Sequence, residues 1–347
     1  MIERDIRIFF QYKFLIIMRL IWFASQIALF GLIASRMINV PGSLLTTNTA
    51  NLAPYQEHVF YVNVTDSLNG ISLNLSSSQK VGEIYIYFPN GTLANHEFFN
   101  VSDGSFHFVF DNPVSGLWQV RFVGGTQTSS FTLYAYQLMN YFRYYVAGLS
   151  VMTLYSAAIF IGFDIYEEAE HGVFEYLLSL PVSRGQLVLG RSIGGGLRSF
   201  IYVGPMIAIS LYVIGAINPL NFLVALFALF LFSFGVSGMS ITIAVIIKSS
   251  DRFDILMGVL DALIVRLSTA MYPLAVVQAA NPLYGSVTSF NPVTFAADLF
   301  RWGTGIESII TIDNPLLPLL GIIIFFAVFT FVGVIIYDKR IEGGGWQ

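Results

Sequence analysis

Six stretches of the chain are apolar over the roughly 20 residues that a helix needs to cross a bilayer core: near 16–37, 138–163, 197–217, 221–247, 253–276 and 316–337. Between the first two the period of the pattern changes from helical to two. HVFYVNV, GISLNLS, EIYIYF, SFHFVF, LWQVRFV and SFTLYAY alternate apolar and polar residues and are separated by turn signals such as Pro89-Asn90-Gly91 and Asp111-Asn112-Pro113. Six or seven short strands at this spacing predict a small antiparallel sandwich. Polar small-residue runs, PGSLLTTNTAN before it and GGTQTSS near its end, read as linkers.

The predicted fold is therefore a polytopic α-helical membrane protein, six transmembrane helices with an inserted all-β sandwich. The boundaries expected are an interfacial helix over 1–15, a first transmembrane helix over 16–38, the sandwich over 39–137 and a second helix over 138–163. A polar segment over 164–192 follows, and 193–347 holds the remaining four helices with a non-spanning segment over 277–315. The first apolar stretch is too long for a removable signal sequence and is expected to stay as an anchor.

Composition agrees with this reading. Of 347 residues 55% are hydrophobic and 11% charged, against about 25% charged in an ordinary soluble domain. That excludes a soluble enzyme. With 17 Lys and Arg against 21 Asp and Glu there is no basic field to attract nucleic acid. The absence of cysteine excludes disulfides, cysteine-held zinc and iron–sulfur clusters.

Cations near the span ends set the orientation. Arg4, Arg7 and Lys13, then Arg184, Arg191 and Arg198, then Lys248 and Arg252, then Lys339 and Arg340 all fall on one side. That side is read as cytoplasmic, with both termini inside, the protein multi-pass in the plasma membrane and the sandwich extracellular. Asn-x-Ser/Thr sequons at Asn63, Asn74, Asn90 and Asn100 all lie in the sandwich, as N-glycosylation of an exterior domain would require.

The segment EEAEHGVFEYLLSLPVSRGQLVLGR, residues 167–191, carries the densest information. Acidic residues open it, Glu175, Leu177 and Leu178 make a short amphipathic helix, Pro181 ends that helix, and Val182-Ser183-Arg184 turns into the next. Arg184, Arg191 and Arg198 repeat every seven residues and share one helix face. Such a helix lying at the membrane surface serves either to dock a soluble partner or simply as an interfacial helix with snorkelling arginines.

Gly172, Glu175, Leu177-Leu178, Pro181, Val182-Ser183-Arg184 and Leu189-Gly190-Arg191 resemble the cytoplasmic signature of the permeases of type 2 ABC exporters, the ABC-2 family. Val173, Arg191 and Tyr166-Glu167 depart from the usual pattern without removing its amphipathic character. A second stretch, Phe290-Asn291-Pro292-Val293-Thr294-Phe295 followed by Asp298-Leu299-Phe300-Arg301, is similar to the family's Asn-Pro-x-Thr-aromatic segment before the last span.

The resemblance implies that 167–191 is a coupling helix resting on a separate ATP-hydrolysing subunit. It implies Glu168, Glu170, Gly172, Glu175, Leu178, Pro181 and Arg184 as the docking residues. ATP and Mg would be bound by that ATPase and not by this chain, which has no cofactor or catalytic residue of its own. A second permease copy, identical or related, would complete the pathway, with membrane lipid around it. Export of an unidentified substrate is the function implied. The alternative is a membrane-anchored surface adhesion or sensor protein presenting the glycosylated sandwich.

Two enzyme-like motifs have duller explanations. Gly185 to Ser192 imitates a phosphate-binding loop with Arg191 in the lysine position, but no buried strand precedes it. Gly235-Val236-Ser237-Gly238 has the form seen around an intramembrane serine nucleophile, yet His58, His96, His107 and His171 all lie outside the spans, so no base is at hand; small residues that let helices approach are the simpler reading. No spacing suggests a metal site. Charges inside spans are expensive and functional by default. Asp254, Asp261 and Ser268 are spaced by seven and should share a face. Asp261 and Arg266 either line a translocation path or pair with each other to hold the bundle.

Overall fold

The computed structural model describes residues 13–33, 41–65, 70–78, 81–100, 105–111, 113–215, 218–306 and 314–341. The chain divides into two units, Ala34–Tyr141 and Met1–Ile33 with Phe142–Gln347.

The first unit holds eight strands: β1 (Pro41–Leu52), β2 (Glu57–Val64), β3 (Gly70–Ser77), β4 (Val81–Tyr87), β5 (Leu93–Asn100), β6 (Ser105–Asp111), β7 (Gly116–Gly124) and β8 (Ser129–Leu138). They form two antiparallel four-stranded sheets, ordered β1-β8-β3-β6 and β2-β7-β4-β5. The period-two alternation turns one set of side chains inward from both sheets. Phe60 and Val62, Leu73 and Leu75, Ile84 and Ile86, Trp118 and Val120, Phe131 and Leu133 meet in one apolar core. Trp118 is fully buried; its indole N–H donates to the Val114 carbonyl at 2.8 Å, and Phe88 and Phe110 stand edge-on to it at 4.9 and 5.0 Å. A buried indole keeps its hydrogen bond in this way.

The unit has two strands more than the alternation marks. Both β1, the run read as a linker, and β5 lie at sheet edges. An edge strand shares its core with one neighbour only, and polar residues along it discourage further pairing. β1 is nonetheless paired along β8 from Pro41↔Leu138 to Leu52↔Ser129, with bulges between Pro41 and Thr46.

The helices are α1 (Lys13–Ser25), α2 (Tyr141–Ile159), α3 (Ile161–Glu170), α4 (Val173–Ser179), α5 (Arg184–Ile214), α6 (Pro219–Ile247), α7 (Ser250–Leu260), α8 (Leu274–Ala280), α9 (Pro282–Ser289), α10 (Pro292–Gly303) and α11 (Leu316–Ile341). Among the described residues four stretches are long and apolar enough to cross a membrane: Tyr141–Glu170, Gly185–Ile214, Pro219–Ile247 and Leu316–Ile336. Of the most apolar 18 residues of Tyr141–Glu170, 78% are buried by their neighbours, and of those of Leu316–Ile336 only 11%, so the former is central in the helical unit and the latter peripheral.

Two of the six expected spans depart from a continuous crossing helix. In the first, α1 is followed by a π-helical stretch Gln26–Gly31, and the apolar helix Ile17–Gly31 is shorter than a full span within the described residues. In the fifth, the expected helix over 253–276 stops early. α7 passes into one π-helical turn, Asp261–Val265, in which the Arg266 N–H reaches the Asp261 carbonyl at 3.3 Å, and the chain then turns until Pro273. The wider turn shifts the helical phase. Asp254 is therefore exposed while Ser268 is fully buried, and the expected common face of Asp254, Asp261 and Ser268 does not form.

Small residues allow close helix crossings. A Cβ on Gly195 would meet the Ile161 side chain at 2.8 Å, one on Gly196 the Phe234 ring, and one on Gly235 the Phe325 ring at 2.6 Å. The tightest crossing among the described residues is at Gly148, where an added Cβ would run into the Ala270 carbonyl. Gly148→Ala is expected to cost about 1–3 kcal/mol through forced separation of backbones, read as a lower thermal unfolding midpoint in detergent. An unchanged midpoint would show that this crossing is looser than described.

Candidate functional site

The turn from α3 through α4 to α5 is built from local signals. Gly172 sits at φ 69°, in the left-handed region that glycine enters without a Cβ penalty, and reverses the chain into the seven-residue α4. Leu180 is extended ahead of Pro181, as a residue before proline prefers, so α4 cannot run on. α5 then starts with a reciprocal capping box: Ser183 accepts from the Gln186 N–H at 3.3 Å, and Gln186 accepts from the Ser183 N–H at 3.2 Å.

Of the residues assigned to docking, Glu170, Gly172 and Pro181 are exposed, and Tyr176 between them is 64% exposed. Leu177 is buried against the unit. The side chains of Glu175, Leu178 and Arg184 lie outside the described set. Glu168 is placed differently from Glu170. Its carboxylate is turned inward and accepts from Arg191, with 12% and 4% of the two side chains exposed. One turn further along, Arg198 pairs with Asp164 at 2.6 Å. The arginines spaced by seven on α5 thus meet acids spaced by four on α3, and two ion pairs clamp the helices that carry α4.

α2 and α3 are one apolar run bent at Phe160. The bend leaves backbone carbonyls without helical partners, which lipid does not replace. α6 supplies them: Ser240 donates to the Ile159 carbonyl at 2.6 Å and Ser237 to that of Ala158 at 3.3 Å. Ser233 similarly reaches the Gly196 carbonyl at 3.2 Å. The hydroxyl of the Gly-x-Ser-Gly motif is thus occupied in packing.

A second polar cluster closes the break in the fifth span. Asn291 caps α10 by accepting from the Val293 N–H at 2.9 Å, while its amide donates to the Ile264 carbonyl at 2.6 Å. Thr288 donates to the Leu267 carbonyl at 2.9 Å, and Thr294 accepts from the Thr269 N–H at 3.0 Å. Arg301 is fully buried; it donates to the carbonyls of Thr269 at 2.8 Å and Ala270 at 3.1 Å, pairs with buried Asp298 at 3.3 Å, and lies 3.5 Å over the Tyr144 ring. The Asn-Pro-x-Thr segment and its trailing acid and arginine therefore hold the backbone of an unwound stretch. The pair singled out from sequence is different in kind: Asp261 and Arg266 approach only to 4.0 Å and keep 36% and 62% of their side chains exposed.

Sequence reasoning passed over Arg19, a cation inside the first apolar run, which is its signal. Its guanidinium lies 4.3 Å from the Phe160 ring centre and 5.3 Å from that of Tyr202. In the strand unit, Asn63 and Asn90 are exposed, Asn74 is partly buried on a central strand, and the Asn100 side chain lies outside the described set. Asn90 accepts from the Thr92 hydroxyl at 2.6 Å and from its N–H at 3.0 Å, so the two polar residues of that sequon face each other in a turn.

A family model described as "ABC-2 family transporter protein" matches residues 125–336, from the last strand to α11. No curated protein matches the chain.

Proposed function

The chain belongs to the ABC-2 transporter family, and from that premise we propose that it is the permease of an exporter driven by a separate ABC ATPase that grips α4. Membership makes it a membrane transporter component and lends no support to the anchored adhesion or sensor alternative. The observation that carries the docking reading is the placement of α4: a short helix with Tyr176 exposed on it and Pro181 exposed just after it, held between α3 and α5, which two ion pairs fasten together.

In this reading Glu170, Gly172, Glu175, Leu178, Pro181 and Arg184 meet the ATPase, and Glu168 acts behind them by fixing α3 to α5. ATP and Mg belong to the ATPase. Closure of the ATPases pushes α4, the clamped helices move as one lever, and the bend at Phe160 is the place where that motion enters the bundle. The orientation is the one set by the positive-inside pattern: both termini and α4 cytoplasmic, the strand unit extracellular, a β-sandwich with sequons open to N-glycans. A second permease copy completes a pathway, and Asp261 with Arg266, both part-exposed, are the charges offered for its lining.

The test is co-purification from mild detergent. An ATPase chain should accompany the wild-type protein, and Glu175→Lys with Leu178→Lys should release it while leaving the permease folded. Retained ATPase in the double variant would overturn the docking assignment.

A further inference from the structure

The seam between α3 and α5 carries three cations and two acids. Glu168 neutralises Arg191 and Asp164 neutralises Arg198. Phe160, one turn before Asp164, and Tyr202, one turn after Arg198, make the next level of the seam, and there Arg19 arrives from α1 with aromatic faces in place of a carboxylate. Ring faces attract a guanidinium, but they leave its five N–H donors to find acceptors elsewhere. Among the described residues none accepts a hydrogen bond from Arg19 or forms an ion pair with it. The position is also open, because Phe160 is 43% exposed and Arg19 is only part-buried.

Depth identifies what sits there. Phe160 follows the 19-residue α2, which spans roughly 28 Å, close to the ~30 Å thickness of the hydrocarbon core. A cation at that level lies at the headgroup boundary. Basic pockets between helices at this level bind anionic headgroups. The nearest carboxylate on the seam, Asp164, is held by Arg198 and so opposes an anion weakly.

We propose that Arg19, framed by Phe160 and Tyr202, binds the phosphate of an anionic lipid at the membrane boundary on the α4 side. The site stands whether or not an ATPase docks on α4; the topology above only decides that this boundary is cytoplasmic.

The experiment uses the full chain in mild detergent and native mass spectrometry, with phosphatidylglycerol, phosphatidylcholine and inorganic phosphate as probes. Phosphatidylglycerol should bind saturably and phosphatidylcholine should not. Arg19→Gln should weaken phosphatidylglycerol binding about five- to tenfold, Arg19→Lys should fall between, and Arg121→Gln, in the strand unit, should leave it unchanged. Equal binding by wild type and Arg19→Gln overturns the proposal, and so does millimolar inorganic phosphate displacing the lipid, which would make the site one for free anions. A photoreactive phosphatidylglycerol on the wild-type protein makes the test independent of variant folding: label should map to peptides holding Arg19, Phe160 or Tyr202, and label confined to other peptides overturns it.

Discussion

Arg301→Met is expected to be the most damaging single change in the helical unit, at about 3–5 kcal/mol, the usual cost of breaking a buried ion pair from one side. It takes the cation away from the Asp298 carboxylate, which is fully buried, and it removes a donor from the Ala270 carbonyl and one of two donors from that of Thr269, which keeps the Tyr144 hydroxyl. Adding Asp298→Leu separates the two effects. If Arg301 mattered only as the partner of Asp298, the apolar double variant would recover most of the loss. Because the arginine also serves unwound backbone, which hydrocarbon leaves unsatisfied, the double variant should recover less than half. Thermal unfolding in detergent decides between them, and full recovery would show that the carbonyl bonds contribute little.

Arg191→Ala is expected to have the second largest effect, on coupling as well as stability. Glu168 would be left nearly buried without its cation, at about 3 kcal/mol, and of the two ion pairs joining the α3 arm to α5 only the more exposed Arg198–Asp164 pair would remain, beside the packing of Ile161 on Gly195. In the proposed complex with an ABC ATPase, the permease-dependent part of the ATPase rate should fall several-fold while the ATPase stays bound. Glu168→Arg with Arg191→Glu restores the pair in reverse and should restore the rate. Loss of the ATPase itself on Arg191→Ala would place Arg191 in the docking surface, contrary to the clamp described.

These two arginines also show how far the amino-acid pattern reaches. The apolar runs and the period-two stretches announce the two kinds of unit directly, because each follows from the side chains of single elements. Edge strands β1 and β5 are faint because their partners, and not their own residues, make them strands. The fifth span reads as a helix because its residues are apolar throughout; what interrupts it is a π-helical turn and a set of donors, Thr288, Asn291, Thr294 and Arg301, that come from later in the chain. Arg191 reads as a snorkelling cation until the acids of α3 are brought to it. Side-chain direction is the missing quantity in each case. Pro181 was legible as the end of α4 because its physics is local, whereas the pairing of Glu168 with Arg191 joins residues 23 positions apart and leaves no local signal.

The register Pro41↔Leu138 brings the entry and exit of the eight-stranded unit together on neighbouring strands. A module whose two ends emerge side by side interrupts its host at a single point. It asks of the host no more room than a hairpin would, so such a loop can gain or shed a whole module without rethreading anything else. The same closure sets its assembly during synthesis: the first strand has to wait for the last, and the sheet that contains both seals only once residue 138 has followed the rest of the module out of the ribosome.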